Sequence, residues 1–461
     1  MPFIDLHSKD DFVSIFYITN SEFGNVGGFD PEKPTVLILH PVFLDLQWID
    51  NHWGDPRIYQ NCNLIAFDMR CSGRSVSRPS ARHDNWVEAA DIALCHMKLR
   101  LPPCHILALE STAILCALRL AVLFPDMYLS LGLCNIPSPS ESHRASSIIS
   151  EIMERWCFAE DIETFEHAGL EAVHLLCGPD CDNDLYDDLI SYWATKTPPE
   201  ERKRIAEPVG VYLNRTPLTA DMLEQIKQPV LIFHGARNEM HGLEHAESLK
   251  EALTSVEGGA ILVPIIGGSS NLSLDHNSAS ALNKVYAKFL LERVPRPDSK
   301  VPFEDVKIEP RMKKALEKLA SFMGKPEITE NDPMSPISFS CLSEEGIQRQ
   351  TELLLRYAAG RNSSFSPLGP DGRPLRKFSD RIGRHWFEGG QDGLSATDPA
   401  FIASCAKHGI QSRTPSGGNH EIEKCSEKTN SNQILSAEIL KSPLMRFAAD
   451  PLCTLGRAGF A

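Results

Sequence analysis

The stretch HILALESTAILCALRLAVLFP, residues 105–125, decides the fold. An apolar run leads to Glu110, Ser111 and Thr112, and a second, longer apolar run follows and ends at Pro125. The first run has the length of a buried strand and the second has the length of a helix. The stretch therefore predicts a strand that turns sharply into a helix. Ser111 lies at that corner, either as a nucleophile or as the remnant of one.

Apolar runs and helical patterns alternate on both sides of this stretch. Continuous apolar runs, typical of strands that are covered on both faces, occur at 35–40, 63–70, 104–110, 128–135 and 228–235. Helical periodicity between the runs is typical of parallel strands joined by crossover helices. The sequence therefore predicts an α/β fold, with a mostly parallel sheet and helices on both faces.

A helical segment interrupts the predicted sheet. Residues 1–139 and 227–295 carry the alternation of strands and helices, so they predict the first and second parts of one core. Residues 140–226 are rich in charge and contain no strong strand pattern. Such an insertion usually covers the carboxyl edge of the strands, where binding sites of α/β folds lie. We therefore interpret residues 140–226 as a helical lid.

The last third of the chain has a different composition. Residues 296–360 predict a linker with short helices, at 310–323 and 343–357. Residues 361–461 are rich in Ser, Gly, Pro, Asn and charged residues, which predicts a mostly disordered C-terminal extension. Such a tail makes a protein partner a possible feature of this protein.

Composition limits the class of protein. The formal net charge of −15 argues against nucleic acid as the main partner, and no apolar stretch is long enough to span a membrane. The N-terminus has no apolar secretory segment. The thirteen cysteines are scattered, and Cys177 and Cys181 lack a matching second pair for zinc. We expect reduced thiols, a cytoplasmic location, and neither a metal nor an organic cofactor.

Four segments together resemble the α/β-hydrolase superfamily of the serine-nucleophile type, over about residues 10–295. They are LILHPVF, AFDMRCSGRS, LALESTA and VLIFHGARNE, in the order in which that superfamily has its oxyanion strand, its Asp-x-Arg turn, its nucleophile elbow and its acid-bearing strand. Chains of this build resemble fungal members of the superfamily. The resemblance implies an α/β-hydrolase-like fold with a lid.

The resemblance implies a role for the residues at the corner. Ser111 takes the position of the nucleophile, but Leu109 and Ala113 replace the glycines of the G-x-S-x-G motif. The oxyanion hole needs two backbone N–H groups. By the same resemblance, Thr112 supplies one of them and Phe43 supplies the other. An aspartyl-ester mechanism is excluded, because the residue at the elbow is a serine.

The sequence departs from the superfamily pattern at the other two positions of the catalytic triad. Asn238 stands where the superfamily has its aspartate, with Glu239 beside it as a substitute acid. Ser270 stands where the catalytic histidine belongs, and serine cannot accept a proton near neutral pH. His276 is the most plausible replacement base, and His241 is a second one.

Two functions remain open from the sequence. In the first, Ser111 attacks an ester or a similar acyl bond of a small apolar molecule. In the second, the protein is a catalytically inactive pseudo-hydrolase that binds a ligand or another protein. A histidine nitrogen within hydrogen-bond reach of the Ser111 hydroxyl favours the first function.

Overall fold

Six parallel strands form the centre of one nine-stranded sheet in the computed structural model of the chain. The structure describes residues 2–140, 143–178, 181–238, 240–292, 307–360 and 363–376, all within one unit, Met1–Ile382. The strands are β1 (Phe3–His7), β2 (Phe12–Thr19), β3 (Thr35–Leu39), β4 (Asn63–Phe67), β5 (Val76–Ser77), β6 (Cys104–Leu109), β7 (Tyr128–Cys134), β8 (Val230–Gly235) and β9 (Ile261–Ile265). The predicted parallel strands are thereby confirmed.

The strand order is β1-β2-β4-β3-β6-β7-β8-β9, and β5 pairs with β2. Strands β3, β4, β6, β7, β8 and β9 are parallel, whereas β2 is antiparallel to β1, β4 and β5. The sequence analysis did not predict this antiparallel N-terminal addition. In the centre, Leu37 of β3 lies opposite Ile106 of β6. Their neighbours are buried on both faces, which explains the continuous apolar runs.

Thirteen helices occur within the described residues. They are α1 (Asp50–Trp53), α2 (Pro56–Tyr59), α3 (Asn85–Lys98), α4 (Ser111–Leu123), α5 (His143–Cys157), α6 (Ile162–Cys177), α7 (Asn183–Lys196), α8 (Lys203–Leu213), α9 (Ala220–Leu223), α10 (Leu243–Ala252), α11 (His276–Glu292), α12 (Ile308–Met323) and α13 (Glu344–Arg356). Helices α3, α4, α10 and α12 share one apolar core with the sheet. Helix α11 covers the other face, where the Tyr286 hydroxyl donates to the carbonyl oxygen of Ile106.

Helices α5 to α9 form an insertion between β7 and β8, and we call residues 140–226 the helical insertion. An aromatic cluster lies at its centre. The Trp156 ring lies 3.9 Å from the ring of Phe165 and 6.0 Å from that of Trp193, measured between centroids. These side chains are buried, so they pack the insertion internally.

The two helices predicted at 310–323 and 343–357 are present as α12 and α13. Helix α12 packs against α3 and α4, and α13 packs against α8 of the helical insertion. The tail predicted for 361–461 lies mostly outside the described residues. Its described part, 363–376, contacts the helical insertion, because Arg376 forms an ion pair with Glu163. Among the described residues, no helix has the length and apolar character needed to cross a bilayer.

Candidate active site

Ser111 lies at a strained corner between β6 and α4. Its φ angle is +50°, and the preceding Glu110 has φ +56° and ψ +154°. Residues other than glycine rarely adopt a positive φ angle. Each one lowers the stability of the fold by about 1–3 kcal/mol, which other interactions must offset. The sharp strand-to-helix corner predicted from the sequence is therefore confirmed.

The hydroxyl group at this corner is buried and isolated. Ser111 is 8% exposed, and its Oγ forms no hydrogen bond with any residue that the structure describes. Thr112, the next residue, lies in the first turn of α4, where backbone N–H groups have no partner within the helix. The corner thus combines an unpaired hydroxyl with backbone donors that suit a developing negative charge.

The loop after β3 carries the second proposed oxyanion donor. Phe43 also has a positive φ angle, +63°, and its carbonyl oxygen accepts a hydrogen bond of 2.9 Å from Nε1 of Trp193 in α7. Phe43 and Thr112 line one cavity, together with Tyr192 and Arg204 of the helical insertion. The structure therefore brings the two proposed donors to the same cavity, while their catalytic role remains a prediction.

His40 fixes the start of this loop. One ring nitrogen, Nδ1, lies 2.8 Å from the carbonyl oxygen of Pro41, and the other, Nε2, accepts a hydrogen bond from the N–H of Met69. Nε2 also lies 3.0 Å from the Ser72 hydroxyl. Burial lowers the pKa of His40, so the ring stays neutral. His40 is therefore a structural residue.

Glu110 joins the corner to the loop after β9 through hydrogen bonds. The sequence analysis did not predict this contact. Its carboxylate accepts hydrogen bonds from the N–H and the hydroxyl of Ser273, at 2.9 and 2.7 Å. Burial raises the pKa of Glu110 from 4.5 to about 7, although the bonds from Ser273 oppose this effect. The only sequence signal was the position of Glu110 beside the candidate nucleophile.

Ser270 lies on the loop after β9, as the resemblance implied. Asn135, with φ +57°, holds this loop, because its amide nitrogen donates to the carbonyl oxygens of Ser269 and Ser270. The amide oxygen of Asn135 accepts from the N–H of Gly235. A Cβ atom on Gly235 would lie 2.3 Å from the carbonyl oxygen of Ser269, so only glycine fits there.

The hydrogen bonds of Asn238, which the sequence analysis assigns to the position of the triad acid, stay within its own loop. Oδ1 of Asn238 accepts hydrogen bonds from the N–H groups of Met240 and His241, at 3.1 and 2.9 Å. Nδ2 of Asn238 is buried and has no hydrogen-bond partner among the described residues. Glu239, the alternative acid, lies outside the described residues. Neither acid role is tested by these contacts, and both remain predictions.

The structure does not pair Ser111 with either replacement base. His276 is the exposed first residue of α11, whereas the Ser111 hydroxyl is buried. Nδ1 of His241 lies 3.3 Å from the N–H of Ser138, which donates to it. No hydrogen bond joins either imidazole to Oγ of Ser111. A base role for His276 therefore requires a conformational change that brings its ring to the Ser111 hydroxyl.

A second cavity is lined mainly by the helical insertion and is almost entirely apolar. Its lining includes Met153, Trp156, Leu176, Trp193 and Met240. Phe43 and Ile205 line both this cavity and the one that Thr112 lines. The apolar cavity therefore adjoins the candidate oxyanion loop through two shared side chains.

No family model matches the chain, and no curated protein matches it. Solved structures do match. A hydrolase from Pseudomonas aeruginosa PA01 is 17% identical, with a TM-score of 0.50, over 62% of this chain and 98% of that chain. A bromoperoxidase from Bacillus anthracis is 15% identical, with a TM-score of 0.49, over 63% of this chain and 100% of that chain. A Thermogutta terrifontis esterase is 17% identical, with a TM-score of 0.47, over 63% of this chain and 99% of that chain. At these identities the likenesses concern the fold.

Proposed function

We propose, from the premise that the chain has the α/β-hydrolase fold, that it binds a small apolar molecule in the cavity of the helical insertion and does not use Ser111 for acyl transfer. The observation that carries this proposal is the apolar cavity that shares Phe43 with the candidate oxyanion loop. Concave, apolar sites of this kind take small ligands. In this proposal, the helical insertion is the lid that encloses the ligand.

The chemistry around Ser111 supports binding without catalysis. A serine hydroxyl needs a neighbouring base, and the Ser111 hydroxyl has no hydrogen bond to a described residue. By the resemblance to serine hydrolases, Ser270 and Asn238 stand at the positions of the base and the acid. Removal of the triad histidine from subtilisin lowers turnover by about 10⁶-fold. We expect a loss of that order here.

Hydrolysis of an ester or a similar acyl bond is the second candidate. One observation favours it, namely the positive φ angle that Ser111 retains in a buried turn. Strain of this kind clusters at functional sites. In this candidate, Ser111 attacks the acyl carbon, the N–H groups of Thr112 and Phe43 bind the oxyanion, and a rearranged His276 takes the proton, oriented by Asn238 or Glu239.

Binding can be tested with an apolar fluorescent probe. N-phenyl-1-naphthylamine is titrated into the full chain, and the increase in the probe's own emission in an apolar site is followed. Leu176→Arg places a charge in the apolar lining, and we expect it to weaken binding by more than about tenfold. Leu355→Arg is the matched control, because Leu355 lies on α13 and is 67% exposed. Equal affinity of both variants for the probe would contradict the proposed binding cavity.

A fluorophosphonate probe separates the two candidates. We expect neither the natural protein nor Ser111→Ala to be labelled, while both bind the apolar probe. Labelling of the natural protein that disappears in Ser111→Ala would overturn the non-catalytic proposal and establish the second candidate.

A further inference from the structure

Three side chains with metal-binding atoms converge beneath the candidate site. Cys71 lies on the turn after β4, His83 lies just before α3, and Glu207 lies on α8 of the helical insertion. One donor atom of each residue lies within 4.8 Å of the donor atoms of the other two. We propose that Cys71, His83 and Glu207 bind one divalent transition-metal ion of the zinc type, and we call them the Cys-His-Glu cluster.

The donor set suits such an ion. Zinc binds thiolate sulfur at about 2.3 Å and imidazole nitrogen or carboxylate oxygen at about 2.0–2.2 Å, usually in tetrahedral geometry. Nδ1 of His83 already lies 2.9 Å from Oε1 of Glu207. The proposal requires side-chain rotations that bring the three donor atoms, which lie within 4.8 Å of one another, to bonding distance of one ion. On binding, the thiol of Cys71 loses its proton to solvent and the sulfur forms the bond to the metal.

The other edge of the His83 ring fits a metal-bound histidine. The ring is 1% exposed, and its Nε2, on the edge opposite Nδ1, forms no hydrogen bond with a described residue. Oε1 of Glu88 lies 3.8 Å from Nε2. A histidine that binds a metal through one ring nitrogen usually directs the other towards a carboxylate, a carbonyl group or water. With Nδ1 as the ligand, Nε2 is the nitrogen that faces Glu88.

The surrounding charges favour a cation. Arg70, the buried guanidinium that precedes Cys71 in the chain, is already paired with Asp11 at 2.8 Å and with Asp91 at 2.9 Å. The carboxylates of Glu88 and Glu207 are also buried, and His83 lies beside both of them. Buried carboxylates are stabilised by pairing or by metal coordination. A divalent ion in the cluster supplies the missing positive charge.

The cluster can be reached from the candidate site. Cys71 and Glu88 line the same cavity as Thr112 and Phe43. Zinc sites with three protein ligands keep a fourth position for water or another exchangeable ligand. The proposed ion would therefore join the core to the helical insertion through Glu207, at the floor of that cavity.

Cobalt spectroscopy and metal analysis test the proposal on the full chain. The protein is stripped with a chelator, dialysed against zinc and analysed for metal, and then reconstituted with Co²⁺. We expect one ion per chain and a thiolate-to-cobalt charge-transfer band. Cys71→Ser should abolish that band, and Cys71→Ser and Glu207→Gln should each weaken zinc binding by more than about tenfold, since even outer-shell changes cost 10–100-fold. Cys341→Ser is the matched control, because Cys341 is also half-buried but lies outside the cluster.

The outcomes separate a metal site from a purely hydrogen-bonded cluster. Binding far below one ion per chain, or a cobalt band that persists in Cys71→Ser, would overturn the proposal. If Cys71→Ser fails to fold, as judged by circular dichroism, the test rests on the cobalt spectrum of the natural protein and of Cys341→Ser. A reconstituted natural protein without the thiolate-to-cobalt band then rejects the site, and one with the band that Cys341→Ser retains supports it.

Discussion

Trp193 of the helical insertion holds the backbone of Phe43 in the core, since its indole Nε1 donates a hydrogen bond of 2.9 Å to the carbonyl oxygen of Phe43. Phe43 has a positive φ angle, which requires support from its surroundings. The Phe43 ring also lies 6.0 Å from the ring of Tyr212, measured between centroids. The helical insertion therefore does more than cover the sheet, because it determines the conformation of the candidate oxyanion loop.

Trp193→Phe should loosen this loop. The substitution keeps an aromatic ring but removes the hydrogen bond, which contributes about 1 kcal/mol. We expect that loss of unfolding free energy in urea, together with faster amide hydrogen exchange at 42–44. Trp156→Phe is the control, because Nε1 of Trp156 bonds the carbonyl oxygen of Thr197 at 2.9 Å instead. Equal exchange at 42–44 in both variants would show that Trp193 does not hold the loop.

Ser111→Ala should make the protein more stable. It removes a buried hydroxyl that lacks a hydrogen-bond partner among the described residues, and an unsatisfied group of this kind costs about 1–3 kcal/mol. Ser111→Gly should stabilise as well, because glycine accepts a positive φ angle. Calorimetric melting temperatures of both variants check the prediction.

Ser130→Ala provides the comparison for Ser111. Ser130 is also buried, but its hydroxyl lies 2.9 Å from Nδ1 of His105, so its loss should destabilise by about 1 kcal/mol. If Ser111→Ala proves as destabilising as Ser130→Ala, the Ser111 hydroxyl has a partner in solution and the idea of an isolated hydroxyl is wrong.

Glu110 should make stability depend on pH. Its pKa is raised from 4.5 to about 7, so the folded protein binds the proton more tightly than the unfolded chain. Stability from this group is therefore fully present below about pH 4.5 and falls until about pH 7, by roughly 3 kcal/mol in all. Glu110→Gln removes the titration and keeps an acceptor for Ser273.

Chemical unfolding at pH 5 and pH 8 measures this effect. The stability of Glu110→Gln relative to the natural protein should increase between the two pH values. Glu247→Gln is the control, because Glu247 lies on the exposed side of α10. Its stability relative to the natural protein should be the same at both pH values. If the difference in unfolding free energy between Glu110→Gln and the natural protein is the same at pH 5 and pH 8, Glu110 ionises normally.

Arg202 should be essential for the attachment of the C-terminal segment. Its guanidinium donates to the carbonyl oxygens of Cys157 and Tyr357 and to the hydroxyl of Ser364, and it lies over the Phe158 ring. Arg202→Met leaves buried acceptors without donors, so we expect a loss of about 3 kcal/mol.

Limited proteolysis provides the readout for Arg202. Cleavage between 357 and 376 should become faster in Arg202→Met. It should stay unchanged in Arg349→Met, because the hydrogen bonds of Arg349 go to the side chain of Asn214, outside that segment. Unchanged cleavage in Arg202→Met would show that other contacts hold the segment.

Local patterns explain which features the sequence could predict. The central strands carry continuous apolar runs because both faces are buried, and the corner at Ser111 follows from a strand pattern that meets a helix pattern without a spacer. The N-terminal antiparallel strands escaped prediction because an edge hairpin has mixed burial, as β1 shows by alternating exposed and buried residues.

Features that depend on distant contacts were not predictable. Cys71, His83 and Glu207 follow no metal-binding spacing, since Glu207 lies 124 residues after His83. The bond between Trp193 and Phe43 joins residues 150 positions apart. Only the packing of α7 and α8 onto the core brings these groups together.

Helix α12 follows α11 in the chain, and its packing has a practical consequence for expression of the protein. Met312, Leu316 and Leu319 are almost fully buried in the same apolar core as α3 and α4. A shortened version that stops at α11 would expose the apolar surface that α12 covers, and it should precipitate or require detergent. A fragment intended for expression should therefore include α12.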